Sequence, residues 1–198
     1  WTPVTLTYDG ITPYTGYPLY YTFTQGNDVF VMMGQRRWDA YNGNNSDPNI
    51  TEELQWLYET LEANRNKRCF VFQHLMRLDG SGNPYNLYAW DGLNNTQGKV
   101  FKSLVSHYKN VIWFHGHSHT KFDTQNKTPI ANYDRLFGCH SIHIPSLVVP
   151  RGVTNGGYER FYEESEGYVV DVYENGIHLR GRDFVVEKSK YLECGELD

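Results

Sequence analysis

The stretch VIWFHGHSHT, residues 111–120, places His115, His117 and His119 within five positions, directly after an apolar run. Neutral imidazole suits Zn, Mn or Fe, and a hard phosphate oxygen can complete the shell of such an ion. A fourth histidine, His74, closes a second short apolar run in CFVFQH, residues 69–74. In open α/β sheets ligands gather beyond the carboxyl ends of the strands, which is where both runs would deliver their imidazoles. In extended backbone, residues two apart attach roughly 6–7 Å apart, so His117 and His119 can each serve one of two ions lying about 3.5–4 Å apart. Gly116 leaves room beside them and lets the backbone bend. His115 continues the alternation of Val111 and Trp113, so it is expected to point away from the site. His107 and His178 read as structural or exposed. The residues alone therefore point to a metal site built from His74, His117 and His119.

Strands and helices must position these histidines. YPLYYTF, TQGN and DVFVMMG read as strand, turn, strand, with Gly26 and Asn27 suited to the positive φ of a tight turn. The run Val29 to Met33 is almost wholly apolar, as expected of a strand covered on both faces. ITEELQWLYETLEANRNKR predicts an amphipathic helix with Leu54, Leu57, Tyr58 and Leu61 on one stripe and Thr51 as its N-cap. CFVFQH is the next strand. A Gly/Asn/Asp-rich loop follows, from Leu78 to Gly98. KVFKSLVSHYKN predicts a second helix with Val100, Leu104 and Val105 inward, and VIWF a further strand. Strands alternating with helices predict a layered α/β domain. SIHIPSLVVP adds a strand, and GYVVDVYENGIHLRGRDFVVE predicts a hairpin turning at Glu174-Asn175-Gly176. The stretch Gly152–Gly157 reads as a loop.

Composition narrows the function. The 198 residues are 39% hydrophobic and 21% charged, which is globular rather than disordered. A net charge of −5 without a basic block argues against nucleic-acid binding through phosphate neutralisation. No apolar run approaches a membrane span, and no targeting segment is visible, so localisation stays open. Cys69, Cys139 and Cys194 are widely spaced and form no CxxC pair, which speaks against a disulfide framework or zinc knuckle. The first residue is Trp1, so the chain is expected to be a processed product or part of a longer one.

GHSH, residues 116–119, resembles the Gly-His-x-His block of calcineurin-like metallophosphoesterases. His74 in FVFQH is similar to the separate histidine that closes an earlier strand there. LQWLYETL, residues 54–61, resembles the helix preceding that strand. IHIPSL and GYVVDVYENGIHLRGRDF are similar to the closing strands of bacterial and phage-encoded members. The resemblance runs from about residue 20 to the end of the chain and rests on this order of elements. It implies a layered α/β sandwich, with mixed sheets flanked by helices and C-terminal β-hairpins, and a dinuclear centre of two divalent metal ions (Mn, Fe or Zn), with His74 and His117 on one ion and His119 on the other. The activity it implies is hydrolysis of a phosphate-ester substrate by a water whose pKa the ions lower.

The sequence departs from that pattern upstream. It has no Asp-x-His, no Gly-Asp pair and no Gly-Asn-His, and GND at 26–28 is a turn. Residues 1–198 are thus expected to be the C-terminal part of a single domain, with the N-terminal remainder as partner and the catalytic histidine outside the chain. Alone, the chain should bind metal poorly and catalyse poorly or not at all. Arg77, three residues after His74, is a candidate for reaching phosphate, although a solvated loop arginine is the favoured reading. His140 and His143 near IPSL are candidates for contact with substrate or with the ligands, and Arg151 for contact with the ligands. Asp79, Trp90 and Asp91 sit in the loop expected over the site. With 16% aromatic residues, including 16 tyrosines, Tyr-rich loops with Trp38 or Trp90 also allow a different class. That alternative is a non-catalytic binding or phage/virion-associated module that keeps the fold. A mononuclear zinc site of His74, His117 and His119 is a third possibility.

Overall fold

A computed structural model describes residues 4–8, 12–16, 20–34, 48–83, 93, 96–126, 131–154, 157–185 and 192–197. Trp38, Trp90 and Asp91 lie outside the described residues. The chain is an α/β protein. Its centre is a six-stranded mixed sheet in the order β3-β4-β5-β6-β8-β7. These strands are β3 (Tyr21–Gln25), β4 (Asp28–Met32), β5 (Cys69–Phe72), β6 (Val111–His115), β7 (Tyr133–Leu136) and β8 (Cys139–His143). The four central strands run parallel, and β3 and β7 close the edges antiparallel. Helix α1 (Pro48–Ala63) connects β4 to β5, and α2 (Thr96–His107) connects β5 to β6.

The two sheet faces bury different side chains. Val29, Val31, Val71, Val111 and Trp113 pack with Leu54, Leu57 and Leu61 of α1 and Phe101 and Val105 of α2. Phe70, Ile112, Phe114 and Ile142 occupy the other face, where Ile177 and Leu179 pack against them. The latter two come from a three-stranded antiparallel sheet of β11 (Glu166–Tyr173), β12 (Gly176–Asp183) and β13 (Leu192–Leu197). Phenyl rings stack along the second face, Phe23 on Phe30 at 4.7 Å and Phe72 on Phe114 at 5.1 Å between centroids. Such offset pairs add stabilisation beyond the area they bury. Two short hairpins complete the described strands, β1 (Val4–Tyr8) with β2 (Thr12–Gly16) and β9 (Arg151–Thr154) with β10 (Gly157–Arg160).

The β3–β4 hairpin turns at Gly26, whose φ of 61° is the left-handed value that only glycine takes at little cost. The hairpin at Glu174-Asn175 also forms as expected. Several local expectations change. Helix α1 begins at Pro48, a residue suited to a first turn because its missing N–H needs no partner there. Thr51 is therefore inside the helix and does not cap it. Tyr58 is 43% exposed and leaves the apolar stripe to the three leucines. In α2 it is Phe101 and Val105 that are buried, whereas Val100 is 43% exposed. Phe30 and Met32 of β4 are only half-buried, because their face is covered less fully than the helical one. Within the stretch Gly152–Gly157, expected as a mobile loop, residues 152–154 and 157 belong to the paired strands β9 and β10. Cys69 and Cys139 are buried free thiols, and burial pushes them up to about 11 and about 12 respectively.

Candidate functional site

The chain remains hydrogen-bonded past the ends of β5 and β6, and this draws the histidines together. Gln73 N–H donates to Phe114 O at 3.0 Å, Gly116 N–H to His74 O at 3.0 Å, and Ile144 N–H to His115 O at 2.6 Å. His74 and His117 thereby meet edge to face, with ring centroids 5.2 Å apart. His74 Nε2 and His117 Nδ1 are separated by 3.2 Å. His119 lines the same cleft, whose volume is about 380 Å³. Met32, Phe72, Phe114 and Ile144 supply its apolar walls.

The loop that carries the histidines is not extended. Ser118 N–H donates to Gly116 O at 3.0 Å, closing a three-residue turn around His117, whose φ is 77°. This is the rare positive-φ γ-turn. His119 also lies in the left-handed region, at φ 63°. The bend expected at Gly116 therefore falls on the two histidines themselves. Strain of this kind, of order 1–3 kcal/mol per residue, persists only where surrounding contacts over-determine it, and it clusters at functional sites.

Those contacts are visible beneath the loop. Ser118, between the two histidines, lies 2.9 Å from His143 Nε2 through its hydroxyl. His143 Nδ1 lies 3.2 Å from Asn132 Oδ1, and Asn132 Nδ2 donates to Lys121 O at 2.9 Å. Because that second bond orients the amide, Nδ1 of His143 is the protonated nitrogen and Nε2 accepts from Ser118. Thr120 Oγ1 donates to Gly82 O at 3.1 Å. Ser118, Thr120, Asn132 and His143 are all buried. None of these partners except His143 was legible as part of the site; Ser118 stood in the motif only as its variable position.

Protonation states follow from burial. Burial lowers His74 and His119 below the usual imidazole range, so both are neutral near pH 7. His119 Nδ1 lies 2.9 Å from Val149 O, which requires N–H at that atom and leaves the Nε2 lone pair available. A backbone carbonyl fixing the tautomer in this way is the usual support of a ligating histidine. Burial pushes His143 down to about 3, and His115 also falls well below its ordinary value.

Lowered values mean that the unfolded chain binds more protons than the folded one. The stability from these two histidines is full above their ordinary value of 6.5 and is lost as pH falls toward 3. Glu166 opposes this trend, because burial raises it to about 7 from 4.5. Its contribution is full below 4.5 and fades as pH rises through 7. The urea midpoint of His143→Gln is accordingly expected to fall less than that of the wild type between about pH 7 and about pH 5. Equal slopes for the two proteins would contradict this assignment.

The remaining sequence candidates separate. His115, expected to point away, is among the residues lining the cleft, but its ring is buried, with Nε2 lying 3.0 Å from Ser81 Oγ and 3.1 Å from Ser141 Oγ. Arg77 is neither a solvated loop residue nor a cleft residue. It is 6% exposed, and its guanidinium donates to Asp134 Oδ2 at 3.0 Å and Asp79 Oδ1 at 3.4 Å. Arg151 contributes backbone, its N–H donating to His119 O at 2.7 Å. His143 supports the loop through Ser118. His140 is not brought to this cleft; it borders a second one beside Ile112. Among the described residues no group of three His, Cys, Asp or Glu is placed to hold one ion, so the three histidines do not form a mononuclear zinc site there.

The fold and site define an α/β protein with a histidine-lined cleft at the carboxyl ends of its parallel strands. No family model matches the chain. No curated protein matches it either.

Proposed function

We propose that the chain provides the imidazole side of a divalent-metal centre that hydrolyses phosphate esters, as in the calcineurin-like metallophosphoesterases it resembles. The observation that carries this reading is the 3.2 Å separation of His74 Nε2 and His117 Nδ1. Two nitrogens bound at about 2.0–2.1 Å to one ion at a near-tetrahedral angle lie roughly 3.2–3.4 Å apart. The neutral state of His74, and the carbonyl that orients His119, fit the same chemistry. When bound, such ions supply a water of lowered pKa and neutralise charge on the phosphate oxygens.

The chain's own residues hold and orient. His74 and His117 present two nitrogens on one side of the cleft. His119 presents Nε2 in the same cleft, its ring pinned through Val149. Phe72, Phe114 and Ile144 form walls that displace water beside them. No Asp or Glu is among the described cleft residues. The acidic ligands and catalytic histidine of a working centre belong, in this proposal, to an N-terminal remainder of the same domain. The isolated chain is expected to bind metal weakly and turn over slowly.

Hydrolysis of bis(p-nitrophenyl) phosphate tests the proposal, with the chain and with a longer protein that contains it. Turnover by the longer protein is expected to vanish in EDTA, to return with Mn²⁺, and to fall about 100-fold or more in His117→Ala. Undiminished turnover in that variant would remove the mechanism. Metal uptake without turnover in every preparation would favour the non-catalytic binding module.

A further inference from the structure

A second cleft lies at the opposite ends of the parallel strands. Its volume is about 640 Å³. It is bordered by Asp28 at the start of β4, Arg68 just before β5 and Asn110 just before β6, and by the β11–β12 turn. The histidine cleft follows the last residues of the same strands, which puts the two roughly 15 Å apart along the sheet.

The chemistry of this cleft is cationic in a protein of net charge −5. Arg65, Lys67, Arg68 and Lys109 line it against two carboxylates, Asp28 and Glu174. Asp28 is already engaged by both of its oxygens, at 2.8 and 3.0 Å from Arg68. Arg68 also donates to Tyr173 O at 2.8 Å and Gly176 O at 3.1 Å, which fixes the turn as a wall of the cleft. Arg65 is paired with Glu62. Among the described residues Lys67 and Lys109 take part in no ion pair, so the cleft holds two unpaired ammonium groups against one unpaired carboxylate, Glu174.

The floor adds a second, independent feature. His140 is 7% exposed and borders the cleft beside Ile112, its register partner on β6. Its Nδ1 lies 3.1 Å from the Tyr133 hydroxyl. In the tautomer in which that hydroxyl donates to Nδ1, the Nε2 nitrogen carries the proton, and Nε2 has no hydrogen-bond partner among the described residues. That tautomer puts a donor in a cleft that Lys67 and Lys109 also line, which suits an oxyanion able to accept charge-assisted hydrogen bonds from all three.

We propose that this cleft binds a small phosphorylated ligand carrying at least two negative charges, held by Lys67 and Lys109 at its rim and by His140 Nε2 on its floor. The site is separate from the histidine cleft and does not depend on metal.

Calorimetric titration with inorganic pyrophosphate, in EDTA and at low salt, tests the proposal. One pyrophosphate per chain is expected, with affinity falling as salt rises. The Lys67→Gln/Lys109→Gln double variant is expected to raise Kd at least about tenfold, because each lost charge-assisted contact is individually strong. His140→Leu is expected to raise it about threefold or more. His74→Ala/His117→Ala should leave Kd unchanged. An unchanged Kd in the lysine double variant overturns the proposal. So does loss of binding in the histidine double variant, which would put the anion in the other cleft. Absence of heat up to millimolar pyrophosphate overturns it as well.

Discussion

Gly82→Ala is expected to destabilise the protein by about 2–5 kcal/mol, from left-handed strain of about 1–2 and overpacking of about 1–3. Gly82 has a φ of 86°, and a Cβ added there would lie 2.6 Å from His143 Cδ2. The ring cannot retreat freely. Asn132 and Ser118 hold its two nitrogens, and Gly82 N–H donates to Ala131 O at 2.8 Å on the other side. The added methyl must therefore displace the ring or the backbone. In a chain of this size the expected fall in melting temperature is roughly 5–15 °C. The displacement also passes through Ser118 into the turn at His117, so metal affinity should fall along with stability. A melting temperature within a degree of the wild type would show that the packing around His143 is looser than described.

How much was legible beforehand depends on the scale of the feature. Alternating apolar runs and amphipathic stretches specified the α/β class, because burial on two sheet faces needs that pattern whatever the details. The two hairpins were legible from Gly26 and from Glu174-Asn175-Gly176, since few residues accept the turn conformations involved. Helix faces were less so. Tyr58 and Val100 were placed inward by periodicity, yet tertiary packing selected Leu54, Leu57, Phe101 and Val105 and left those two exposed. Strands β9 and β10 escaped notice because their glycine-rich sequence carries no alternation.

The histidine cluster was legible as residue types at strand ends. The geometry that brings them together was not. A γ-turn at His117 and a left-handed His119 are conformations that sequence disfavours, and they depend on buried bonds from Ser118 and Thr120 to segments far along the chain. Arg77 and His140 were credited to the site on proximity in sequence. Arg77 follows His74 by three residues, but the chain turns it into a buried pair with Asp134. His140 and His143 are three residues apart on β8, so alternation sends them to opposite faces of the sheet.

The second large effect concerns metal affinity. His74→Ala removes one of two nitrogens held 3.2 Å apart and leaves His117 without that partner, with His119 the other imidazole of the cleft. Loss even of a group that merely orients a ligand costs about 10–100-fold in affinity, so loss of a ligand should cost at least that much. His74 lies past the end of β5 and belongs to neither hydrophobic cluster, so the substitution should leave the fold intact. His107→Ala serves as the control, since that exposed ring lies at the end of α2. The decisive measurement is a zinc-binding titration of the wild type, His74→Ala and His107→Ala at neutral pH. Saturable binding that weakens at least about tenfold in His74→Ala and is unchanged in His107→Ala is the expected result. Binding by this chain is expected to be weak, so equal affinity in all three proteins, or no saturable binding in the wild type up to about millimolar zinc, would contradict a metal centre in this cleft.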